Sequence, residues 1–363
     1  MKGALDGLLI ADFGRVLAGP YATMLLADLG AEVVKIERPG SGDDTRHWGP
    51  PFDADGVATY FQAVNRNKRS LALDLRDETD RAQAADLVSR ADVVVENLLP
   101  GGMDRLGLGY DDVRATNPGV VYCSVTGFGR DSSLPGYDIV VQAVGGLMSM
   151  TGPRPGEPTR AGVAVVDVIT GLHAAVGILA ALRHRDRTGE GQRVEVDLMS
   201  CLLSSLVNQS SGYLLAGAVP QAMGNRHPSL VPYEVFQARD KPIVIACGND
   251  RQFRSLAEVL GQPDLADDER YATNPQRVAH REELVPVVND LLAAADAQDW
   301  YERMSAAGVP AGPVNDLAEA FAYAEGVGLS PIVECAGVRQ VANPIGLSAT
   351  PATYRSAPPA LGG

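Results

Sequence analysis

The 363-residue chain has only four cysteines, Cys123, Cys201, Cys247 and Cys335, far apart and without a C-x-x-C pair. That argues against a disulfide framework or a cysteine zinc site, and reduced thiols in a cytoplasmic protein are the simpler expectation. The five histidines show no metal-ligand spacing, so no metal is expected. No run of about 18 apolar residues escapes a charge or a glycine, so no membrane-spanning helix is indicated. The opening MKGALDGLLIADFG is too short and interrupted for a signal peptide. Basic charge is scarce: 31 Lys and Arg against 45 Asp and Glu leave a net charge of −14. Nucleic acid and anionic membranes are thereby disfavoured as partners, and an anionic ligand would need a local basic site. A G-x-S-x-G elbow is also missing, so Ser-His-Asp chemistry has no starting point.

What is present reads as an ordinary globular composition, 45% hydrophobic and 21% charged, with 39 glycines and 24 prolines spread through loops. Residues 8–38 read as strand, loop, helix and strand, with Pro20 suited to the first turn of the helix. Strands near 70–75, 92–96 and 120–125 and a helix near 78–90 continue the alternation, which implies a mostly parallel sheet covered on both faces. A long helix is expected from about Asp167 to Arg187, ended by Thr188-Gly189-Glu190-Gly191. After about Pro220 the pattern changes to a hairpin, Tyr233–Gln237 with Pro242–Cys247, then helices. The fold class expected is therefore α/β: a large domain over 1–200 with 326–363, a linker at 201–224, and a smaller α+β domain over 225–325.

Three features invite chemistry. The loop from Gly14 to Gly19 sits where a dinucleotide site would lie, with Glu37 as a possible ribose acid, but it lacks G-x-G-x-x-G. Basic residues cluster locally at Lys35 and Arg38, along Asn65-Arg66-Asn67-Lys68-Arg69, and at Arg105; they are either phosphate ligands or solvated surface charges. His173, in the long apolar helix, reads as a packed core histidine. Asp167 stands within GVAVVDVITG, otherwise apolar or small. Locally it suits a helix cap. It also suits a nucleophile, because a carboxyl with pKa near ~3.9 is already ionised at neutral pH and needs no base. Gly171 would leave room for a substrate.

Taken together the segments resemble the class III CoA-transferases of the CaiB–BaiF type. The blocks run in family order: LDGLLIADFGRVLAGPYATMLLADLGAEVVKIERPGSGD, NRNKRSLALDL, ADVVVENLLPGGMDRLGLGYDDV, SVTGFG and GYDIVVQAVGG lead into VVDVITGLHAAVGILAALRHRDRTGEGQRVEVDL, GNRHPSLVPYEVF and GVPAGPVND. The resemblance implies a Rossmann-like large domain built from both chain ends, a small domain between them, and two open subunits interlocked as a homodimer. It implies that Asp167 attacks an acyl-CoA thioester through aspartyl anhydride and aspartyl-CoA intermediates. Coenzyme A is then a substrate moiety rather than a prosthetic group, the second substrate is a small carboxylic acid, and no ATP site is needed. Arg38 falls where the family contacts the CoA nucleotide, Asn97 and Arg105 in a CoA-binding loop, and Val16 with Leu17 in the loop facing the thioester.

Two departures matter. Relatives that racemise 2-methylacyl-CoA carry Gly-His-Asp where this chain has Gly136-Tyr137-Asp138, and tyrosine, with pKa near ~10, is a poor acid/base at neutral pH. GNRHPSLVPY replaces the polyglycine loop of formyl-CoA transferases, which weighs against an oxalate-type substrate pair. A racemase or epimerase, or a non-catalytic CoA-binding subunit, are the alternatives.

Overall fold

The computed structural model describes residues 3–54 and 56–363. The chain divides into two compact units: 1–148 with 160–220 and 330–363, and 149–159 with 221–329.

The first unit opens with β1 (Leu9–Asp12), α1 (Ala18–Asp28), β2 (Glu32–Glu37), α2 (Thr59–Gln62), β3 (Lys68–Ala72), α3 (Glu78–Arg90), β4 (Val93–Glu96), α4 (Tyr110–Thr116) and β5 (Val121–Thr126). Next come α5 (Asp138–Val144), α6 (Leu147–Met150), α7 (Val165–Thr188), β6 (Gln192–Asp197), α8 (Leu198–Ser205) and α9 (Asn208–Ala216). The six strands form one parallel sheet in the order β3-β2-β1-β4-β5-β6. That is the doubly wound order, whose reversal between β1 and β4 opens a crevice at the carboxyl ends of the strands. Strand alternation sorts the core. Ile10, Val33, Val93, Val95, Val121 and Cys123 face α1 and α7 on one side. Ala11, Val34, Ile36, Val94 and Tyr122 face Leu87, Leu108 and Val113 on the other.

Residues 201–224, expected as a linker, carry most of α8 and all of α9. The long helix begins two residues earlier than expected and spans 24 residues. By length and composition it could cross a bilayer, contrary to the sequence reading, since Gly171 and Gly177 do not interrupt it. One side of it is instead committed to the protein, where Val166, Ala174, Ile178 and Leu182 join the sheet core.

The last part of this unit, β10 (Ile332–Cys335) and β11 (Val338–Val341), is a hairpin tied to the chain start by Asp28. The Asp28 carboxylate takes a bidentate pair from Arg66 (2.7 and 2.9 Å) and an Asn343 amide at 3.1 Å.

In the second unit, β7 (Tyr233–Gln237) and β8 (Pro242–Ala246) form the antiparallel hairpin that the sequence suggested. Then come α10 (Asp250–Val259), α11 (Asn274–Ala279), α12 (Arg281–Leu292), α13 (Ala297–Ala306), β9 (Ala311–Pro313) and α14 (Leu317–Gly326). The segment read only as a break, GVPAGPVND, supplies β9 as a third strand. Phe236, Ile243, Phe253, Leu284 and Trp300 make a core of their own.

Candidate active site

The β1–α1 loop lies at the crevice and is pinned at nearly every backbone group. Asp12 Oδ1 accepts from Gly14 N (2.8 Å), and Lys35 Nζ donates to Gly14 O (2.6 Å). Asn97 accepts from Arg15 N and donates to Arg15 O, both at 2.8 Å. The Asp43 carboxylate accepts from Val16 N at 3.2 Å. Val16 is thereby held at φ 65°, which a β-branched residue rarely adopts.

Beneath the loop lie buried charges. Lys68 is 3.0 Å from Asp12 and Lys35 is 2.9 Å from Asp43, all of them shielded from solvent. Burial pulls the Lys68 amine down to about 8, against the opposing effect of Asp12. Burial alone would raise the Asp43 carboxyl, but Lys35 and Thr45 override it and hold the group at about 2.

Of the basic residues read as either phosphate ligands or solvated surface charges, Lys35, Arg66 and Lys68 are neither, because they are buried in ion pairs. An ion buried this way is held by its partner and is lost to a ligand. Glu37 is likewise occupied, by Arg46 (2.7 Å), Ser70 (2.7 Å) and the Asp43 amide (2.9 Å), so it is not a ribose ligand in waiting.

Two adjoining cavities remain. One, of about 340 Å³, is walled by Arg38, Leu73, Arg76, Leu98 and Leu106. The other, of about 520 Å³, gathers Val16, Leu17, Asn97, Arg105, Tyr137, Asp138 and Asp167. Arg15 and Leu98 belong to the walls of both. Thus Val16, Asn97, Arg105 and Asp167 share a cavity, and Arg38 lies in the one beside it. Arg38 is paired with Asp44 at the surface, and the Asn97 amide is spent on the loop backbone. Among the described residues, Arg15 and Arg105 carry no ion pair, so theirs are the cavity's open cations. No histidine lines it.

Asp167 is the third residue of α7, not its cap; Ala164 holds the cap position without a side-chain bond. The capping acceptor comes from another segment. The Asp138 carboxylate takes the amides of Val166 (2.8 Å) and Asp167 (3.2 Å). Asp138 reaches that point because Gly127, just past β5, touches Gly136: a Cβ on Gly127 would fall 2.4 Å from the Gly136 Cα. Burial, and then the like charge of Asp138, push the Asp167 carboxyl up to about 7. The expectation that it is fully ionised at neutral pH is corrected accordingly: burial and Asp138 favour its protonated form well above the ordinary carboxyl range. Tyr60 feels the same field. Burial first, and then Asp167, Asp138 and Asp43, raise its phenol, so it stays protonated and able to donate.

Gly171 serves packing, not substrate entry. A Cβ there would meet the Ala18 carbonyl oxygen at 2.7 Å. Gly171→Ala should force α7 off α1 and cost about 1–3 kcal/mol, read as a lower denaturant midpoint with unchanged slope. His173 is exposed on α7, with Nδ1 2.9 Å from Ile169 O, and is not the core histidine expected.

The model of CoA-transferase family III matches residues 5–363. The chain belongs to CoA-transferase family III. This transferase is 42% identical over 381 residues to the succinate–glutarate CoA-transferase of Agrobacterium fabrum, covering 99% of this chain and 94% of that protein. It is also 42% identical over 351 residues to the acetyl-CoA:oxalate CoA-transferase of Acetobacter aceti, covering 96% and 90%. A crystal structure of a CaiB/BaiF family protein from Brucella suis superimposes with a TM-score of 0.92 at 42% identity, covering 100% of this chain and 97% of that one.

Three residues of the transferase's cavity region escaped the sequence reading. Arg15 carried a signal, a cation inside the crevice loop. Asp138 was visible beside Tyr137, but its contact with α7 is a matter of tertiary structure. Tyr60 gave no signal at all.

Proposed function

We propose that the enzyme moves CoA from an acyl-CoA to a carboxylic acid with Asp167 as the nucleophile. The observation that carries this is one half-buried carboxyl of raised pKa in a cavity whose open charges are the cations Arg15 and Arg105. In its ionised form an Asp167 oxygen attacks the thioester carbonyl. The C–S bond breaks, leaving a mixed anhydride and CoA thiolate. The thiolate then attacks the aspartyl carbonyl, releasing the donor acid and forming aspartyl-CoA. The acceptor carboxylate attacks that thioester, and the returning thiolate takes the new acyl group and frees Asp167. No proton is gained or lost overall, and each step trades one activated acyl bond for another.

The Val166 and Asp167 amides are taken by Asp138, so donors to the developing oxyanions must come from elsewhere. The open amides at the start of α1, where Leu17 and Ala18 line the cavity, are at hand. Arg38, Val16, Asn97 and Arg105 are read as the CoA side of the site, with Asn97 acting through the loop it fixes. The relatives' named substrates, succinate with glutarate and acetyl-CoA with oxalate, point to short carboxylic acids, with a diacid as acceptor. The oxalate enzyme among them keeps that acid in the class, although GNRHPSLVPY replaces polyglycine. Incubation with acyl-CoA and hydroxylamine, followed by peptide mapping, should find a hydroxamate at Asp167; an unlabelled Asp167 under full turnover overturns the mechanism.

We also read the two units as separate domains and the working form as an interlocked homodimer in the cytoplasm. The four free, buried cysteines are consistent with a reducing compartment. Leu172 and Val176 on α7, Leu203 on α8 and Leu214 and Leu215 on α9 are large apolar side chains left exposed on a single chain. Exposed apolar side chains in such number suit an interface. Sedimentation at micromolar concentration should give twice the 38.2 kDa chain mass, and a monomer would refute the dimer.

A further inference from the structure

Asp138, which caps the start of α7, is itself held from behind. Asp138 and Gln142 stand one turn apart on α5, so their side chains share a face of that helix. Gln142 is fully buried, yet it lines neither cavity of the site. A buried primary amide needs a partner at each end, and both are present. The Gln142 amide nitrogen donates to Asp138 Oδ1, and its oxygen accepts from the Ala161 amide at 2.9 Å. The other oxygen of Asp138, Oδ2, takes the Val166 and Asp167 amides.

Three donors therefore meet the Asp138 carboxylate, two from the first turn of α7 and one from Gln142. Through Ala161, Gln142 also ties down the segment that leads into that turn. One side chain thus sets the start of α5 and the approach to α7 against each other. Asp138 is only part-buried, so without the Gln142 amide its side chain has solvent to turn to. The titratable groups around Asp167 are Asp138 from α5, Tyr60 from α2, and Asp44, Arg15, Arg105 and Tyr137 along the cavity. Among these, Gln142 is bonded to Asp138, so a change at Gln142 reaches Asp167 by that route.

We propose that Gln142 is a positioning residue for CoA transfer: it holds Asp138 under the first turn of α7, and so fixes both the backbone of Asp167 and the negative charge beside it. The inference rests on the reading of Asp167 as the nucleophile.

The pH profile of kcat/KM in the full chain tests it. Gln142→Met keeps the length of the side chain and removes both hydrogen bonds. Asp138 is then free to turn outward, its repulsion of ionised Asp167 weakens, and the acid limb should move down by about half a pH unit or more. In an Asp138→Asn background the same substitution should move the limb by less than about 0.2 unit, because the charge through which it acts is gone. Gln142→Glu has the same shape and decides the matter if Gln142→Met fails to fold. Protonated it keeps both bonds, and ionised it adds negative charge, so the limb should stay in place or rise; a fall overturns the proposal. So does a full further shift in the Asp138→Asn background. A limb present in the wild type but unmoved in folded Gln142→Met overturns this inference alone, whereas a wild-type profile with no limb near pH 7 overturns the reading of Asp167 and this inference with it.

Discussion

Replacing Asp167 with asparagine should lower kcat for CoA transfer by on the order of 10⁴-fold or more, while leaving a fully folded and more stable protein. The expected loss is large because the proposed mechanism makes this side chain the covalent partner in every step, not one contributor among several. Asparagine keeps the shape and the start of α7, whose amides are held by Asp138 and not by Asp167 itself. The stability change has a definite sign. Asp167 is pushed up to about 7 in the fold from an ordinary value of 3.8, so the folded state binds the proton more tightly than the unfolded one. Its favourable contribution is complete below pH 3.8 and is lost as pH rises through about 7. Above that, an ionised Asp167 costs the fold about 1–2 kcal/mol, discounted for its partial exposure, and asparagine removes the cost. Thermal melts at pH 5 and pH 8 should therefore show the larger gain at pH 8. Activity within ~10-fold of wild type in the variant would sink the covalent mechanism.

The pH profile carries the second large effect. If ionised Asp167 is the attacking form, kcat/KM should be flat above about pH 7 and fall about tenfold per unit below it, leaving roughly 1% at pH 5. Asp138→Asn removes the neighbouring negative charge, while its amide oxygen still accepts the α7 amides. The acid limb should then move to lower pH. It should not reach the position of an exposed aspartate, because burial is the larger cause of the rise and survives the substitution. A wild-type limb already near 4, or one unmoved in Asp138→Asn, would show that Asp138 does not tune the nucleophile.

Much of the fold was legible because it is written in local pattern. Apolar runs such as Leu9-Ile10-Ala11 and Val93-Val94-Val95 alternate with helical stretches, and that spacing leaves few arrangements other than a parallel sheet. Asp167 stood out for a local reason too, as one charge in an apolar stretch. Pairings between distant segments were not legible. Asp138 meets the Asp167 amide across 29 positions, and nothing near either residue says that one raises the other's pKa. The basic residues show the same limit from the other side. Lys35, Lys68 and Arg105 look alike in sequence, yet two are sealed beneath the sheet's edge and one is open to a ligand. Gly171 was misread because a bare Cα gives the same signal whether a helix or a substrate approaches it.

The pinned β1–α1 loop has a kinetic consequence. Its ordering entropy and the strain at Val16 are met once, during folding, and not at each encounter with a thioester. The ligand meets a loop whose backbone is already hydrogen-bonded in place, so little ordering of it is left to accompany binding. The same bonds tie the site to residues outside it: a change at buried Asp12, Lys35 or Asp43, or at part-buried Asn97, removes a bond that fixes the loop backbone while leaving Asp167 itself untouched.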